Sequence, residues 1–243
     1  MKKILFLMMG GSGTRLGSAL PKQFLPVGGS AIYQFILDLY ARAVQDEIIS
    51  IDRVVLINNR EWRAHLEDGL SSFASELPFT LNIVDGGSTR SESIKNGVTF
   101  LSKELQEEAI VLIHDATHPY LDADATKKLC LLLESGKRAA TLVTHVWDTV
   151  YLVKDERVSE TLPRACIGVG ASPEGFSFQF LKEMFLSDKV DINQFTSAGN
   201  YAETIGEPIG TIWSSILNLK ITYPDDLAVF QQAHPYFSGK SSK

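Results

Sequence analysis

Five short apolar runs, Lys3–Met9, Arg53–Ile57, Thr80–Val84, Ala109–His114 and Ala139–Val146, alternate with the amphipathic stretches Ala31–Ala43, Trp62–Phe73, Ser91–Leu105 and Ala123–Leu133. Runs of four to eight β-branched or apolar residues bounded by turn residues read as strands buried on both faces. Strand–helix–strand alternation at this spacing requires right-handed crossovers, so the chain is expected to be α/β, with a mostly parallel sheet and helices on both faces. In such a sheet the ligand crevice lies outside the carboxyl ends of the strands. That rule directs attention to Gly10–Gly17, Asn58–Arg60, Asp85–Arg90, Asp115–Pro119 and Trp147–Thr149.

Beyond Val146 the pattern changes. Thr149–Val158 and Arg164–Val169 read as an extended excursion with Lys154-Asp155-Glu156 at its tip, followed by helices at Phe176–Met184 and Ala198–Ile205. Ile209–Trp213 reads as a late strand and Asp225–Gln232 as a last helix with Pro224 near its start. No Pro/Gly/Ser-rich linker divides the 243 residues, so one domain over 1–235 is expected, with a protruding β-arm at about 149–169 and a loose tail at 236–243. An arm of two strands is marginal unless it packs on something, which points to a homodimer.

Composition serves mainly to exclude. The 23 Lys+Arg against 29 Asp+Glu give a net charge of −6, and no basic stripe appears, so a nucleic-acid partner is not expected. No apolar stretch approaches the ~20 residues of a membrane span, and the six apolar residues after Lys2-Lys3 are too few for a secretory leader. A cytoplasmic protein without membrane association is expected. The two cysteines, Cys130 and Cys166, cannot make a disulfide framework, and Cys130, within Leu-Cys-Leu-Leu-Leu, reads as a small core residue.

Three segments carry chemistry. Gly10-Gly11-Ser12-Gly13-Thr14-Arg15-Leu16-Gly17 leaves the first strand and is followed by Pro21-Lys22-Gln23. Without Cβ atoms in the way, backbone N–H groups of such a loop can close on phosphate oxygens, with Arg15 and Lys22 adding positive charge. The loop lacks the Gly-Lys-Ser/Thr of a P-loop and the G-x-G-x-x-G spacing of a dinucleotide site. Asp85-Gly86-Gly87-Ser88-Thr89-Arg90-Ser91-Glu92-Ser93 follows the third strand. Gly86-Gly87 admits a flat ligand, Arg90 and Ser93 offer donors, and Ser88 is the expected helix N-cap. Ile113-His114-Asp115-Ala116-Thr117-His118-Pro119 ends the most apolar strand, where Asp115 could meet Mg²⁺ or a sugar hydroxyl. No histidine has metal-ligand spacing to another, so zinc is not expected. Thr149, Arg164 and Lys220 are further candidates in the second half.

The ordered landmarks GGSGTRLG…PKQFLPVGG, GGSTRSESIKNG, IHDATHP, WDTV, LPRA and NLKITYPDDL resemble the cytidylyltransferase family that makes CDP-activated polyols. Its members include the 2-C-methyl-D-erythritol 4-phosphate and ribitol-5-phosphate enzymes. The resemblance runs from Lys3 to about Phe230 and implies a Rossmann-like nucleotidyltransferase fold, CTP and a polyol phosphate as substrates, a divalent cation such as Mg²⁺, and a homodimer. By this resemblance Gly10, Gly11, Ser12, Gly13 and Thr14 wrap the triphosphate, and Arg15, Lys22 and Lys220 stabilise charge at the α-phosphate. Gly87, Arg90, Ser93 and Ala116 hold the nucleotide; Asp115 lies where ribose, metal and acceptor meet. Thr149 and Arg164 bind the acceptor, with Arg164 reaching from the arm of a second subunit. The chain departs from the family pattern at His118 (usually Arg), at Glu174 after Pro173 (usually Gln), at Thr89 (often acidic) and near Ser197, where an acidic residue is usual. Methylerythritol 4-phosphate is the first acceptor implied and ribitol 5-phosphate the second. A sugar-1-phosphate nucleotidyltransferase and a nucleotide-binding protein without catalysis are the more distant readings.

Overall fold

The computed structural model describes residues 1–11, 20–71, 73–187 and 191–237. In chain order the elements are β1 (Lys2–Met9), the two-residue strands β2 (Pro26–Val27) and β3 (Ser30–Ala31), α1 (Ile32–Gln45), β4 (Arg53–Asn58), α2 (Arg63–Leu70), β5 (Thr80–Asp85), α3 (Arg90–Glu104), β6 (Ala109–Asp115), α4 (Ala123–Glu134) and β7 (Ala139–His145). The second half adds β8 (Val150–Lys154), β9 (Arg157–Leu162), β10 (Gly168–Ser177), α5 (Phe178–Phe185), α6 (Ala198–Thr204), β11 (Gly210–Trp213) and α7 (Pro224–Phe237).

Seven strands form one sheet in the order β11-β7-β10-β6-β1-β4-β5. The expected parallel pairs are present: β1 runs between β4 and β6, β5 extends the sheet from β4, and β11 joins β7. Alternate side chains of each strand serve opposite faces. Leu5, Leu7, Met9, Val54 and Leu56 pack with residues of α1, α2, α4 and α7, whereas Ile4, Phe6, Met8, Val55 and Ile57 pack with α3, α5 and α6. Both faces of the central strands are covered, which is why they read as unbroken apolar runs; β5, at the sheet edge, is only half-buried, against the fully buried strand expected at Thr80–Val84, because it has a neighbour on one side alone among the described strands. Cys130 lies in the first of these cores, where burial pushes its thiol up to about 11.

Gly97 sets how closely α3 approaches the sheet. A Cβ there would lie 2.6 Å from Ile57 Cδ1 and 2.8 Å from Phe6 Cε2, both in the core. Gly97→Ala is expected to destabilise the protein by about 1–3 kcal/mol through overpacking, in spite of alanine's better helix propensity, as a denaturant midpoint would show.

Three sequence expectations are corrected. Residues 168–177 are neither arm nor helix start but β10, which lies antiparallel between β6 and β7. Its glycines and Pro173 hide it from a pattern search, and a register shift between Ala171 and Glu174 takes up Pro173, which has no N–H to give. Helix α5 therefore starts at Phe178, with Ser177 Oγ accepting from Phe180 N at 3.3 Å. Second, α7 continues through Pro235 to Phe237, taking in the first two residues of the expected tail. Phe237 stacks on Phe230 at 5.8 Å and meets Tyr120, contacts that hold the last turn. The remainder of that tail, 238–243, lies outside the described residues. Third, the N-cap of α3 is Thr89 rather than Ser88: Thr89 Oγ1 accepts from Glu92 N at 3.1 Å.

Candidate active site

A cavity of about 320 Å³ opens at the carboxyl edge of the sheet, lined by residues that include Gly10, Gly11, Lys22, Gly87, Arg90, Ser93, Asp115 and Lys220. The cavity lies where β1, β5 and β6 end, the place to which the crevice rule directs attention. Ser12, Gly13, Thr14 and Arg15 lie outside the described residues. Thr149 and Arg164 do not line this cavity; Arg164 follows β9, and its Nη1 donates to Trp147 O at 2.6 Å. Ala116 is also apart, buried with its N–H on Met8 O at 3.0 Å.

The cavity floor is a chain of alternating charges. Arg90, the first residue of α3, donates from Nε to Asp115 Oδ1 at 3.0 Å and from Nη2 to Glu174 Oε2 at 3.1 Å. Lys220 Nζ donates to the other Asp115 oxygen at 3.2 Å. Burial disfavours the charge on Arg90, but Asp115 and Glu174 outweigh it and push its pKa above the ordinary arginine value. Burial would likewise raise Asp115, yet Arg90 and Lys220 prevail and hold it at about 2, against an ordinary 3.8. A carboxylate with a depressed folded-state pKa adds stability above its unfolded pKa and loses it as pH falls through the folded one. Asp115 should therefore contribute on the order of 2 kcal/mol above pH ~4, fading toward pH ~2. The stability gap between the protein and Asp115→Asn is expected to close by that amount on acidification from pH ~5 to ~2, as denaturant melts at each pH would measure.

Lys22 is buried at 7% exposure, with Nζ donating to Thr222 O at 2.6 Å and Ile221 O at 3.3 Å. These carbonyls follow Lys220 directly, so the segment that presents one lysine also fixes the other. The segment is itself anchored, because Ile221 N donates to Thr117 O at 2.7 Å and Asp226 accepts from Thr222 N and Tyr223 N. Gln23 Nε2 caps the end of β1 at Met9 O.

The Gly86-Gly87 loop is folded by Ser93, whose hydroxyl accepts from Gly87 N at 3.0 Å and donates to Thr89 O at 2.8 Å. Ser93 thus shapes the loop, its own donor already engaged. Gly87 needs to be glycine, since a Cβ would lie 2.3 Å from Glu92 Cβ.

His118 supplies no cation in place of the arginine usual in the family. It is buried, and burial pushes its pKa below the ordinary histidine value, with Asp115 opposing the fall. Its Nδ1 donates to Asn218 Oδ1 at 3.2 Å, and Asn218 Nδ2 donates to Ser172 O at 2.6 Å. His118 is therefore a brace between the loop after β6, the Lys220 segment and β10. Its neighbour His114 is held at about 4 by burial; Nε2 donates to His118 O while Nδ1 accepts from Tyr40. Among the described residues no group of three or more His, Cys, Asp or Glu could hold a metal ion. No described helix is long and apolar enough to cross a membrane.

Glu174 escaped the sequence reading of the site. A glutamate after proline in a glycine-rich stretch carries no pattern of its own; only its departure from the family's Pro-Gln drew attention to it.

Residues 4–233 match the family profile of 2-C-methyl-D-erythritol 4-phosphate cytidylyltransferase. A protein of that name from Thermotoga neapolitana is 31% identical over 92% of this chain and 93% of its own length. Another from Leptospira interrogans is 31% identical over 99% of this chain and 96% of its own. The bifunctional enzyme IspD/IspF of Solidesulfovibrio magneticus is 33% identical over 93% of this chain, which spans 56% of that longer protein. The fold matches 4-diphosphocytidyl-2C-methyl-D-erythritol synthase from Anaerococcus prevotii with a TM-score of 0.75 at 23% identity, covering 97% of this chain and 98% of the other. With the profile spanning nearly the whole chain and the relatives covered almost end to end, this chain belongs to the 2-C-methyl-D-erythritol 4-phosphate cytidylyltransferase family.

Proposed function

We propose that this protein transfers CMP from CTP to 2-C-methyl-D-erythritol 4-phosphate, releasing pyrophosphate, as a step in isoprenoid precursor synthesis. The observation that carries the reading is the convergence of Lys22, Lys220 and Arg90 around Asp115 at the carboxyl edge of the sheet. In the reaction an oxygen of the acceptor phosphomonoester attacks the α-phosphorus of CTP in line, and the bond to the β-phosphate oxygen breaks. That oxygen is anionic at neutral pH, so no strong general base is required. The demand is for positive charge and positioning, because two polyanions must meet and the pyrophosphate leaves with its negative charge. This reading gives that task to Lys22, fixed by two carbonyls, and to Lys220, on a braced segment, with Arg15 of the preceding loop as a third cation by resemblance.

Asp115 is the one carboxylate lining the cavity among the described residues. A single carboxylate beside a polyphosphate suits Mg²⁺, which is usually held by one or two carboxylates together with substrate phosphates. A divalent cation bound there would neutralise triphosphate charge, and Asp115 would be its protein ligand once Lys220 turns to the phosphate.

The arm supports a homodimer. Its hairpin, β8–β9, turns at Asp155 and Glu156, both at positive φ, and exposes Tyr151, Leu152, Val153 and Val158. A two-stranded ribbon with so much apolar surface gains stability by packing on a second copy. That packing would carry Arg164 to the partner's acceptor side.

The test is to incubate the protein with CTP, Mg²⁺ and a panel of polyol phosphates and to follow pyrophosphate. Release with methylerythritol 4-phosphate is expected. Release confined to ribitol 5-phosphate would reassign the acceptor, and none with any acceptor would refute the transfer.

A further inference from the structure

We propose that Glu174 is a positioning residue that withholds Arg90 from the phosphates and reserves it for the nucleoside side of the cavity. The proposal rests on the CTP reading above. Glu174 stands just beyond the register shift in β10, with its side chain 12% exposed. Both of its oxygens are engaged: Oε2 accepts from Arg90 Nη2, and Oε1 accepts from Gly199 N in the first turn of α6 at 3.0 Å.

A carboxylate is an unexpected neighbour for a site that must receive polyanions. It cancels one positive charge, so that Arg90 and Lys220 are balanced by Asp115 and Glu174. What Glu174 provides instead is geometry. An arginine with free guanidinium edges is a strong bidentate phosphate ligand. Here the two carboxylates take up the Nε–Nη2 edge, the side-on edge of the guanidinium, and Nη1, buried, is the nitrogen left without a hydrogen-bond partner. A single remaining nitrogen, on a guanidinium whose charge is already met, suits one directional hydrogen bond to a neutral acceptor such as a base carbonyl or ribose hydroxyl. It does not suit the two-pronged grip of a phosphate.

Two variants test this from opposite sides. Glu174→Gln keeps the side-chain shape and an acceptor for Gly199 N while removing the charge. Gly199→Ala keeps the charge but displaces the carboxylate, since a Cβ at 199 would lie 2.8 Å from Oε1. With Glu174→Gln, inorganic pyrophosphate measured by calorimetry is expected to bind roughly fivefold more tightly, the effect of one uncovered charge near the surface. In the same variant the preference for CTP over inorganic triphosphate, as a ratio of dissociation constants, is expected to fall about tenfold as a directional hydrogen bond to the nucleoside is lost. Gly199→Ala should move both readouts the same way by less. A merely structural role would lower the melting temperature and weaken every ligand alike. Unchanged or weaker pyrophosphate binding in Glu174→Gln, or CTP preference kept in full, would overturn the proposal. Wild-type protein that turns over no nucleotide would sink the CTP reading instead, and the pyrophosphate comparison would still decide the role of Glu174.

Discussion

Alanine at position 220 is expected to slow pyrophosphate release by about 100- to 1,000-fold, the usual cost of removing one preorganised group that stabilises transition-state charge. The melting temperature should barely change. The Lys220 side chain is 50% exposed and, among the described residues, its ion pair is to Asp115, so its share of folding stability is that of a surface pair, ~0–1 kcal/mol. That separation between rate and stability is what makes Lys220 a better probe than Lys22. Lys22 is buried with its ammonium on two backbone carbonyls, and its removal would strand both of them. Lys220→Arg should recover part of the rate, because it restores charge but presents a planar fork where a compact ammonium sat. A Lys220→Ala protein within fivefold of wild type would remove the residue from the transition state.

The second large effect is recovery of activity from two inactive proteins. Arg164→Ala and Lys220→Ala should each be nearly inactive alone. If Arg164 serves the partner's site, a mixed dimer contains one site lacking both residues and one lacking neither. Random exchange makes half of the dimers mixed, so an equal mixture should regain about a quarter of wild-type activity. If Arg164 serves its own subunit, every site in every dimer is defective and the mixture stays inactive. The first outcome is expected, because within its own subunit Arg164 follows β9 and donates to Trp147 O without lining the cavity. Pyrophosphate release after subunit exchange measures it directly.

The parallel core was readable because buried strands of this kind allow only apolar residues. Lys3–Met9 and Ala109–His114 agree with the observed strands to within a residue. What misled was chemistry that tertiary packing overrides. In β10, Gly-Val-Gly-Ala-Ser-Pro-Glu-Gly looks like a loop on local preference alone, yet the sheet accepts it because the register shift accommodates Pro173. Proline should end a helix, but Phe237 packing on Phe230 and Tyr120 carries α7 past Pro235. At the cavity, Gly10, Gly11, Gly87, Lys22 and Arg90 were legible as a group because glycines and cations at strand ends make a recognisable pattern in sequence. Glu174 and the neutral brace made by His118 were not, since each acts on another side chain far away in sequence.

The position of β10 bears on how the protein forms during synthesis. Among the described strands, β7 pairs with β10 and β11 alone, and both lie later in the chain. As the polypeptide emerges, β1, β4, β5 and β6 can assemble behind the ribosome as a four-stranded unit with their helices. β7 must then wait, with its ladder groups unmatched, until residue 177 is out and β10 can be wedged between it and β6. This late, non-local closure is the kind of step that is slow and leaves strand edges open to wrong partners. A nascent chain halted before Gly168 should accordingly engage holding chaperones through Ala139–His145, and lengthening it past Ser177 should release them.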